Sequence, residues 1–278
     1  MTPLNATRCE LGEGAFWHPE RAEFFWFDIT ASTLHALAQS WTFDEMVSAA
    51  GWIDRDRMLL ASETRLAVFD LRDGTLRTLC ALEADTAATR SNDGRADPQG
   101  GFWIGTMGKR AEKGAGRIWR WRDGELRQLY AGLTIPNAIS FAPGGQSACF
   151  TDTVSRRVMR VALDGNGWPR GTPECWLDLR PEGLNPDGAV FDAAGNFWVA
   201  QWGAGRVACY TPDGQFLRAM DVPAPHTSCP AFGGHDLTHL YCTTARQGRQ
   251  NPHDLDGATF RTPGVAQGHP ENQVALTA

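Results

Sequence analysis

The sequence predicts an all-β protein that forms one six-bladed β-propeller, a single domain over residues 1–278. Three observations support this prediction: helical periodicity is nearly absent, short aromatic strands recur between turn signals, and motifs repeat at blade-like spacing. Gly or Pro interrupts almost every stretch that keeps a 3.6-residue apolar period. The chain contains 30 Gly, 16 Pro, 14 Phe and 11 Trp, a composition typical of short aromatic strands separated by turns.

Sequence motifs recur along the chain at regular intervals. Asn92 precedes Trp103 by 11 residues, and Asp187 precedes Trp198 by the same interval. A Gly-Ala-Gly-Arg motif occurs twice, and its copies begin 89 residues apart. This offset equals two units of about 44–45 residues, which matches the ~40–50 residues of one propeller blade.

Completing the pattern yields six units, each interpreted as four short strands. A lone four-stranded sheet buries little surface, whereas six sheets arranged radially bury their faces against one another. The outer strand of the last unit is not predicted, because the pattern after Thr244 is irregular. The innermost strands are predicted to begin near Glu13, Ser48, Asn92, Asn137, Asp187 and Ser228.

Charge and hydropathy exclude two kinds of partner. The formal net charge is −6, and the absence of any run of five Lys or Arg argues against nucleic-acid binding. The longest cluster of bulky apolar residues is Phe24–Phe27, far short of the ~18 residues that a membrane helix needs. We therefore expect a small-molecule partner, with neither nucleic acid nor membrane, while the oligomeric state stays unknown.

The cysteines predict a reducing compartment. There are seven, an odd number, and they are widely spaced without a Cys-x-x-Cys pair. Cys149, Cys209 and Cys242 fall in strand-like runs, where a free Cys packs as a small hydrophobe. The first residues also lack the basic and apolar regions of a signal peptide. We expect reduced thiols and a cytoplasmic protein.

Candidate site residues occupy equivalent positions in four blades. In a propeller, the innermost strands run along the central channel in one direction, so the residues at their starts converge at one mouth. Glu13, Asn92, Asn137 and Asp187 occupy this position. Carboxylates packed together without a partner are costly, and a bound divalent cation removes that cost. The alternative is that these residues only form turns, but a Gly-Glu-Gly turn has no general need for Glu13.

The oxygen-only character of this set favours one hard divalent cation. We expect Ca²⁺ first, and Mg²⁺, Mn²⁺, Zn²⁺ and Fe²⁺ stay open. Trp103 and Trp202 lie near the candidate site in the repeat, and we expect both to pack between blades rather than to line a pocket.

The same residues belong to motifs that resemble the senescence-marker-protein/gluconolactonase family, also called regucalcin-like. The resemblance covers almost the whole chain, and the order and spacing of the motifs make it specific. In chain order the motifs are Leu11–Gly14 with Trp17, Arg90–Gly94, Gly105–Met107, Pro136-Asn137, Pro186–Gly188, Cys229–Gly234 and Tyr241–Arg246.

The resemblance implies a six-bladed propeller that holds one divalent metal in the channel mouth and hydrolyses sugar lactones. Carried over by motif, Glu13, Asn137 and Asp187 would be the metal ligands. Arg90 and Asn92 would contact the substrate, and Asp187 would also be the proton acceptor and donor.

The chain departs from the family pattern after Met107. Family members often place a Glu three residues after the Gly-Thr-Met motif, but here Gly108, Lys109 and Arg110 follow. A basic side chain cannot accept hydrogen bonds from sugar hydroxyls as a carboxylate does. This departure leaves room for an acidic lactone. The alternative is that both basic side chains point into solvent and balance Glu112.

The sequence therefore predicts a metal-dependent hydrolase that opens an aldonolactone, such as glucono-, xylono- or arabinolactone, to the sugar acid. The metal would polarise the carbonyl, and Asp187 would orient or deprotonate the attacking water. Two alternatives stay open. One is metal-dependent hydrolysis of phosphotriesters or aromatic esters in a wide apolar pocket on the same scaffold. The other is a non-catalytic propeller that binds protein or peptide through an aromatic or basic rim.

Overall fold

The computed structural model describes residues 1–276 and contains six four-stranded antiparallel sheets. A short N-terminal strand is β1 (Thr2–Pro3). Blade 1 contains β2 (Gly12–His18), β3 (Glu23–Asp28), β4 (Thr33–Ala36) and β5 (Ser40–Thr42). Blade 2 contains β6 (Val47–Trp52), β7 (Arg57–Ser62), β8 (Arg65–Asp70) and β9 (Leu76–Ala81). Blade 3 contains β10 (Thr89–Ala96), β11 (Phe102–Gly108), β12 (Gly116–Arg122) and β13 (Glu125–Leu133).

The second half of the chain repeats this arrangement. Blade 4 contains β14 (Pro136–Phe141), β15 (Ser147–Asp152), β16 (Arg157–Leu163) and β17 (Pro169–Asp178), with a 3₁₀ turn over Thr153–Ser155. Blade 5 contains β18 (Asn185–Phe191), β19 (Phe197–Trp202), β20 (Arg206–Tyr210) and β21 (Phe216–Asp221). Blade 6 contains β22 (Thr227–Gly233), β23 (His239–Thr244) and β24 (Phe260–Thr262). No helix among the described residues is long and apolar enough to cross a membrane.

The six sheets form a closed ring. The innermost strands β2, β6, β10, β14, β18 and β22 pack side by side in this order, and β22 packs against β2. Each of these strands contains the residue that the sequence analysis placed at a strand start. The predicted six-bladed β-propeller is therefore confirmed.

The N-terminal strand completes blade 6. Strand β1 pairs with β24, so that Thr2 lies opposite Arg261 and Pro3 lies opposite Phe260. This strand was not predicted from the sequence. A strand of two residues is too short to show periodicity, and the outer strand of the last blade was considered only in the irregular segment after Thr244. Joining the beginning of the chain to its last blade closes the ring with hydrogen bonds.

Each innermost strand contains one β-bulge at the level of the predicted site. Glu13 pairs with Phe27 and Phe16 pairs with Phe25, so β2 has one residue more than β3 between these pairs. A bulge interrupts the regular alternation of side chains and re-aims them, which brings the predicted residues to one mouth of the channel. The other register shifts lie between Val47 and Ala49, Ser91 and Gly94, Asn137 and Ser140, Pro186 and Ala189, and Thr227 and Pro230.

The C-terminal segment covers the far mouth of the channel, where the innermost strands end. Residues 268–275 cross this mouth, and the backbone N–H of Val274 donates to the carbonyl of Trp52 at 2.9 Å. Glu271 forms an ion pair with Arg95, and at most 10% of either side chain is exposed. The site described below therefore opens at the mouth where the innermost strands begin.

All seven cysteines are free thiols in the structure. Cys9, Cys149, Cys209, Cys229 and Cys242 are buried, as expected of cysteines that pack as small hydrophobes. Burial also raises the pKa of the Cys149 thiol to about 11, so this thiol stays protonated at neutral pH. The cytoplasmic localisation stays a prediction.

Gly14 allows blade 1 to approach blade 2 directly after Glu13. Its φ is +57°, and a Cβ atom there would lie 2.2 Å from the carbonyl oxygen of Ser48 and 2.6 Å from Cδ2 of Phe27. Since one of these atoms belongs to the backbone and the other to a buried ring, neither can shift without a large cost in folding free energy. Any larger residue would push apart the two blades that hold Glu13 in place.

We predict that Gly14→Ala destabilises the protein more than Gly74→Ala. Gly74 also has a positive φ, +74°, but its added Cβ would meet only Cδ1 of Trp41 at 3.9 Å. The control therefore measures the left-handed backbone cost, about 1–2 kcal/mol, without a clash. We expect Gly14→Ala to cost about 2 kcal/mol more, measured by denaturant unfolding. Equal losses in the two variants would contradict the close-approach argument.

Candidate functional site

A cavity of about 500 Å³ opens at the mouth where the innermost strands begin. All five predicted site residues line it: Glu13, Arg90, Asn92, Asn137 and Asp187. They come from blades 1, 3, 4 and 5, so the ring itself brings together residues that are distant in sequence. The volume lies in the range of ~300–1,000 Å³ typical of small-molecule sites.

Two carboxylates in this cavity are buried without adequate partners. Asp187 is 4% exposed and Glu13 is 5% exposed. The Oδ1 atom of Asp187 has no hydrogen-bond partner within the described part of the chain. Glu13 accepts one hydrogen bond, from the backbone N–H of Gly14 at 3.3 Å. Buried acceptors are normally satisfied, so these atoms indicate a site for a ligand.

Burial and repulsion from neighbouring carboxylates raise the pKa values of both carboxyl groups. Burial, followed by the charge of Asp93, raises the pKa of Glu13 to about 8. Burial, followed by the charge of Glu13, raises the pKa of Asp187 well above its usual range. Without a counter-ion, the pair is therefore poorly suited to carry two negative charges at neutral pH.

Asp93 is a third carboxylate in the channel, which the sequence analysis did not assign to the site. It is buried, and its Oδ2 atom accepts a hydrogen bond from the backbone N–H of Ile139 at 2.7 Å. Burial raises the pKa of Asp93 to about 6, and its charge raises the pKa values of Glu13 and Asp187. Its place beside Asn92 in an Asn-Asp-Gly sequence suggested a turn, whereas the bulge of β10 buries it.

Arg90 is the buried cation that faces these carboxylates. Its Nη1 atom donates hydrogen bonds to the carbonyl of Ser91 and to Oδ1 of Asn92, both at 2.8 Å. Burial lowers the pKa of Arg90 to about 10, partly opposed by the charges of Glu13 and Asp187. The guanidinium therefore stays charged at neutral pH and offsets part of the negative charge.

A chain of hydrogen bonds crosses the cavity floor from blade 3 to blade 5. Asn92 Nδ2 donates to Oδ1 of Asn137 at 2.9 Å, and Asn137 Nδ2 donates to Oγ1 of Thr153 at 2.9 Å. The Thr153 hydroxyl in turn donates to the carbonyl of Pro186 at 2.8 Å. Because that hydroxyl has a single hydrogen, it accepts at Asn137, which fixes the orientation of the Asn137 amide.

The residues present fit a divalent cation. Glu13 and Asp187 supply carboxylate oxygens, one of them unpaired, and Asn137 supplies an amide oxygen of fixed orientation. Hard cations prefer such oxygen ligands, and a positive charge would relieve the repulsion that raises both pKa values. Residues 1–276 contain no group of three His, Cys, Asp or Glu side chains that could hold a metal ion. The amide of Asn137 is therefore needed to complete the set.

Two basic residues line the cavity at its rim on the loop between β11 and β12. Lys109 forms an ion pair with Glu63 of blade 2. Arg110 lies 3.5 Å from Glu112, and its side chain is 92% exposed. The alternative that both side chains merely balance Glu112 therefore describes Arg110, but it does not describe Lys109.

Trp103 and Trp202 were both expected to pack between blades, and this expectation is correct for Trp103 only. Trp103 is fully buried and packs edge-to-face against Phe141 of the next blade, with ring centroids 5.4 Å apart. Trp202 instead lines the cavity. Its ring stacks on His226 with centroids 4.3 Å apart. Trp202 ends strand β19 at the open mouth, and this position was not recognised in the repeat.

A second cavity, of about 280 Å³, lies between blades 1 and 2. Its carboxylate Glu45 accepts hydrogen bonds from the hydroxyls of Ser62 at 2.9 Å and Thr64 at 2.6 Å, and it pairs with Arg65 at 2.9 Å. Glu45 is thus well satisfied. This cavity offers no unpaired group comparable to Asp187 among its described lining residues, so the first cavity is the candidate site.

Comparison with known proteins identifies the family of the chain. Residues 11–246 match the family model described as the SMP-30/gluconolactonase/LRE-like region. The chain belongs to this family. It is 41% identical to a Rhizobium meliloti protein provisionally named a sugar lactone lactonase, over 88% of this chain and 85% of that protein. It is 35% identical to a pentonolactonase of Haloferax volcanii, over 98% and 97% of the two chains.

A solved structure shows the same family architecture. The chain is 37% identical to regucalcin of Agrobacterium tumefaciens, a calcium-binding protein, with a TM-score of 0.96. The likeness covers 99% of this chain and 97% of that one. The family suggested by the sequence motifs is therefore confirmed.

We predict that Thr153 sets the metal affinity by fixing the Asn137 amide. Thr153→Val keeps the shape but removes the acceptor for Nδ2 of Asn137, so we expect ~10-fold weaker Ca²⁺ binding by calorimetry. Thr153→Ser retains the hydroxyl and should bind Ca²⁺ nearly as the unmodified protein does. Unchanged affinity in Thr153→Val would show that Asn137 does not depend on this hydrogen bond.

Proposed function

We propose that the protein is a metal-dependent lactonase that hydrolyses a sugar lactone to the corresponding sugar acid. The observation that carries this proposal is the convergence of Glu13, Asn137 and Asp187 on one cavity, where Oδ1 of Asp187 is buried and unpaired among the described residues. Membership of the SMP-30/gluconolactonase/LRE-like family supports the same reaction.

We propose that Glu13, Asn137 and Asp187 bind one divalent cation, with Ca²⁺ as the first candidate. When bound, such a cation supplies Lewis-acid polarisation of the lactone carbonyl. The calcium-binding regucalcin of Agrobacterium tumefaciens, 37% identical to this chain, supports the choice of ion.

Arg90 is suited to hold the substrate. Its Nη1 atom is committed to Ser91 and Asn92, and this anchors the plane of the guanidinium. Its Nε and Nη2 atoms make no hydrogen bond to the described part of the chain, and Arg90 lines the cavity. These two atoms are thus available to donate to hydroxyl or ring oxygens of a lactone, which orients the ring.

We propose that Asn92 mainly positions its neighbours and makes one contact with the substrate. Its Nδ2 atom donates both hydrogens, to the carbonyl of Pro136 at 3.0 Å and to Oδ1 of Asn137 at 2.9 Å. Its Oδ1 atom accepts from Arg90 and keeps one further lone pair. Asn92 can therefore accept one hydrogen bond from a substrate hydroxyl, and it positions Arg90 and Asn137.

Asp187 is the candidate proton acceptor. Its Oδ1 atom has no partner among residues 1–276, so an attacking water can donate a hydrogen bond there. Burial and the nearby charge of Glu13 raise its pKa in the cation-free protein, but a bound cation would lower that pKa, so Asp187 would act as a weak base in the loaded site. A lactone is an activated ester, so a modest base is sufficient for attack by water.

The two alternative functions receive less support from the cavity. A pocket for aromatic esters would be wide and apolar, whereas the floor here carries Glu13, Asp187 and Arg90. A protein- or peptide-binding propeller would need an aromatic or basic rim, and the described lining residues supply only Lys109, Arg110 and Trp202, too few for a peptide-sized patch. Most of the exposed large apolar side chains in the described chain, such as Leu76 and Phe216, lie on outer strands.

The substrate we propose is an aldonolactone such as glucono-, xylono- or arabinolactone. The pentonolactonase of Haloferax volcanii, which aligns over 98% of this chain, supports this class. Leu11 and Ile135 line the cavity beside the polar floor, so they offer apolar contact to the carbon face of a sugar ring.

We predict that lactone hydrolysis depends on the cation and on Asp187. Chelation should reduce acid release in a pH-stat assay to the uncatalysed rate, and added Ca²⁺ should restore the enzymatic rate. Asp187→Asn should lower kcat by ~10²–10⁴-fold, because it removes the proton acceptor. Asp213→Asn, at an exposed turn of the same blade, should retain kcat. Full activity in chelator, or an active Asp187→Asn variant, would contradict the proposed function.

A further inference from the structure

The unpaired hydrogen-bond acceptors of the cavity and its positively charged donors lie at different depths. The unpaired acceptors lie on the floor, at Asp187 and Glu13. The other polar groups of the floor are mostly committed, since Thr153 both accepts and donates within the protein and Asn92 uses both of its amide hydrogens. A cation held at the floor would attract the carbonyl oxygen of a lactone. A lactone bound in this way presents its other end to the rim.

The rim on the blade 3 side offers hydrogen-bond donors and positive charge. Lys109 and Arg110 line the cavity there, and Arg90 lies deeper on the same blade. The only carboxylates among the described lining residues are Glu13 and Asp187, whose charges a divalent cation would offset. With the cation bound, the lining side chains would thus carry a net positive charge, of which Glu63 and Glu112 beside the rim and Asp93 in the channel offset part, whereas the whole chain has a net charge of −6.

Lys109 and Arg110 differ in how firmly the protein holds their side chains. The backbone N–H of Lys109 donates to the carbonyl of Ala88 at 2.9 Å, and its side chain pairs with Glu63. Both ends of Lys109 are thus anchored at the cavity edge. The Arg110 side chain is 92% exposed, and its contact with Glu112 is 3.5 Å long. Exposed pairs of this kind contribute little, so Arg110 is available to a ligand at small cost.

We propose that Lys109 and Arg110 form an anion subsite, so that the protein hydrolyses neutral aldonolactones but prefers a sugar lactone with an anionic group at the end remote from the ring carbonyl. A carboxylate or a phosphate ester has the required chemistry, because charge-assisted hydrogen bonds to Lys and Arg are stronger than those to neutral hydroxyls. This inference rests on the proposed lactonase function and names the substrate class of the same cavity.

Matched substrates test the anion subsite. An aldonolactone and the aldarolactone of the same configuration and ring size differ only in a terminal hydroxymethyl group or carboxylate. The terminal phosphate ester of the aldonolactone distinguishes a phosphate from a carboxylate as the preferred anion. For each anionic substrate, the readout is its kcat/KM divided by that of the neutral lactone, with Ca²⁺ present.

We expect this ratio to exceed one for at least one anionic substrate and to fall about tenfold in the double variant Lys109→Gln, Arg110→Gln. Arg72→Gln is the matched control, because Arg72 is an exposed arginine paired with Asp70 outside the cavity. It should leave the ratio unchanged. Glu63→Gln should raise the ratio, since it frees the charge of Lys109, and general damage to the fold would not produce this opposite change.

Ionic strength supplies an independent readout. Raising salt from ~20 mM to ~500 mM should lower the ratio for the unmodified protein and leave that of the double variant nearly constant. If the neutral lactone is hydrolysed and the ratio is the same in the unmodified protein and the double variant, the anion subsite is wrong and the lactonase function stands. If none of the lactones is hydrolysed with Ca²⁺ present, the lactonase function itself is wrong.

Discussion

The burial of like charges at one mouth of the central channel is the constraint on which the rest of the structure depends. Burial raises the pKa values of Glu13, Asp93 and Asp187, the charge of Asp93 raises those of Glu13 and Asp187 further, and Arg90 offsets only part of the negative charge. Such an arrangement is costly for folding alone. It is explained if a divalent cation binds there, since the cation converts the repulsion into ligand-binding free energy.

The propeller is well suited to hold these charges together. Closure of the ring by β1 fixes six innermost strands around one axis, and the bulge in each strand re-aims side chains at the same level. Gly14 permits the close approach of neighbouring blades directly beside Glu13. Hydrogen bonds from Asn92 to Asn137 and from Asn137 to Thr153 then link the blades across the floor. The site therefore depends on the whole ring rather than on any one blade.

Sequence repeats predicted the parts of this structure that recur in every blade. Glu13, Asn137 and Asp187 were found because each lies near the start of the innermost strand of its unit, although Asp187 lies inside its bulge and the other two directly precede theirs. Motif resemblance assigned their roles, which stay predictions. Asp93 and Thr153 were missed because their importance comes from contacts between blades, with Ile139 and Pro186, that no single repeat contains. Strand β1 was missed for a similar reason, since its partner β24 lies at the other end of the chain. The ion pair of Lys109 with Glu63 likewise joins two blades.

Calorimetric titration with Ca²⁺, in buffers that differ in ionisation enthalpy, tests the central claim most directly. Because the pKa of Glu13 is raised to about 8 in the cation-free protein, the carboxyl pair is protonated at about pH 7, and the bound ion must displace protons. We predict release of at least one proton per ion, with affinity that rises as the pH increases toward the pKa and then levels off. Glu13→Gln should reduce both the release and the affinity. Tight Ca²⁺ binding at this pH without proton release, or no binding at any pH, would contradict the account.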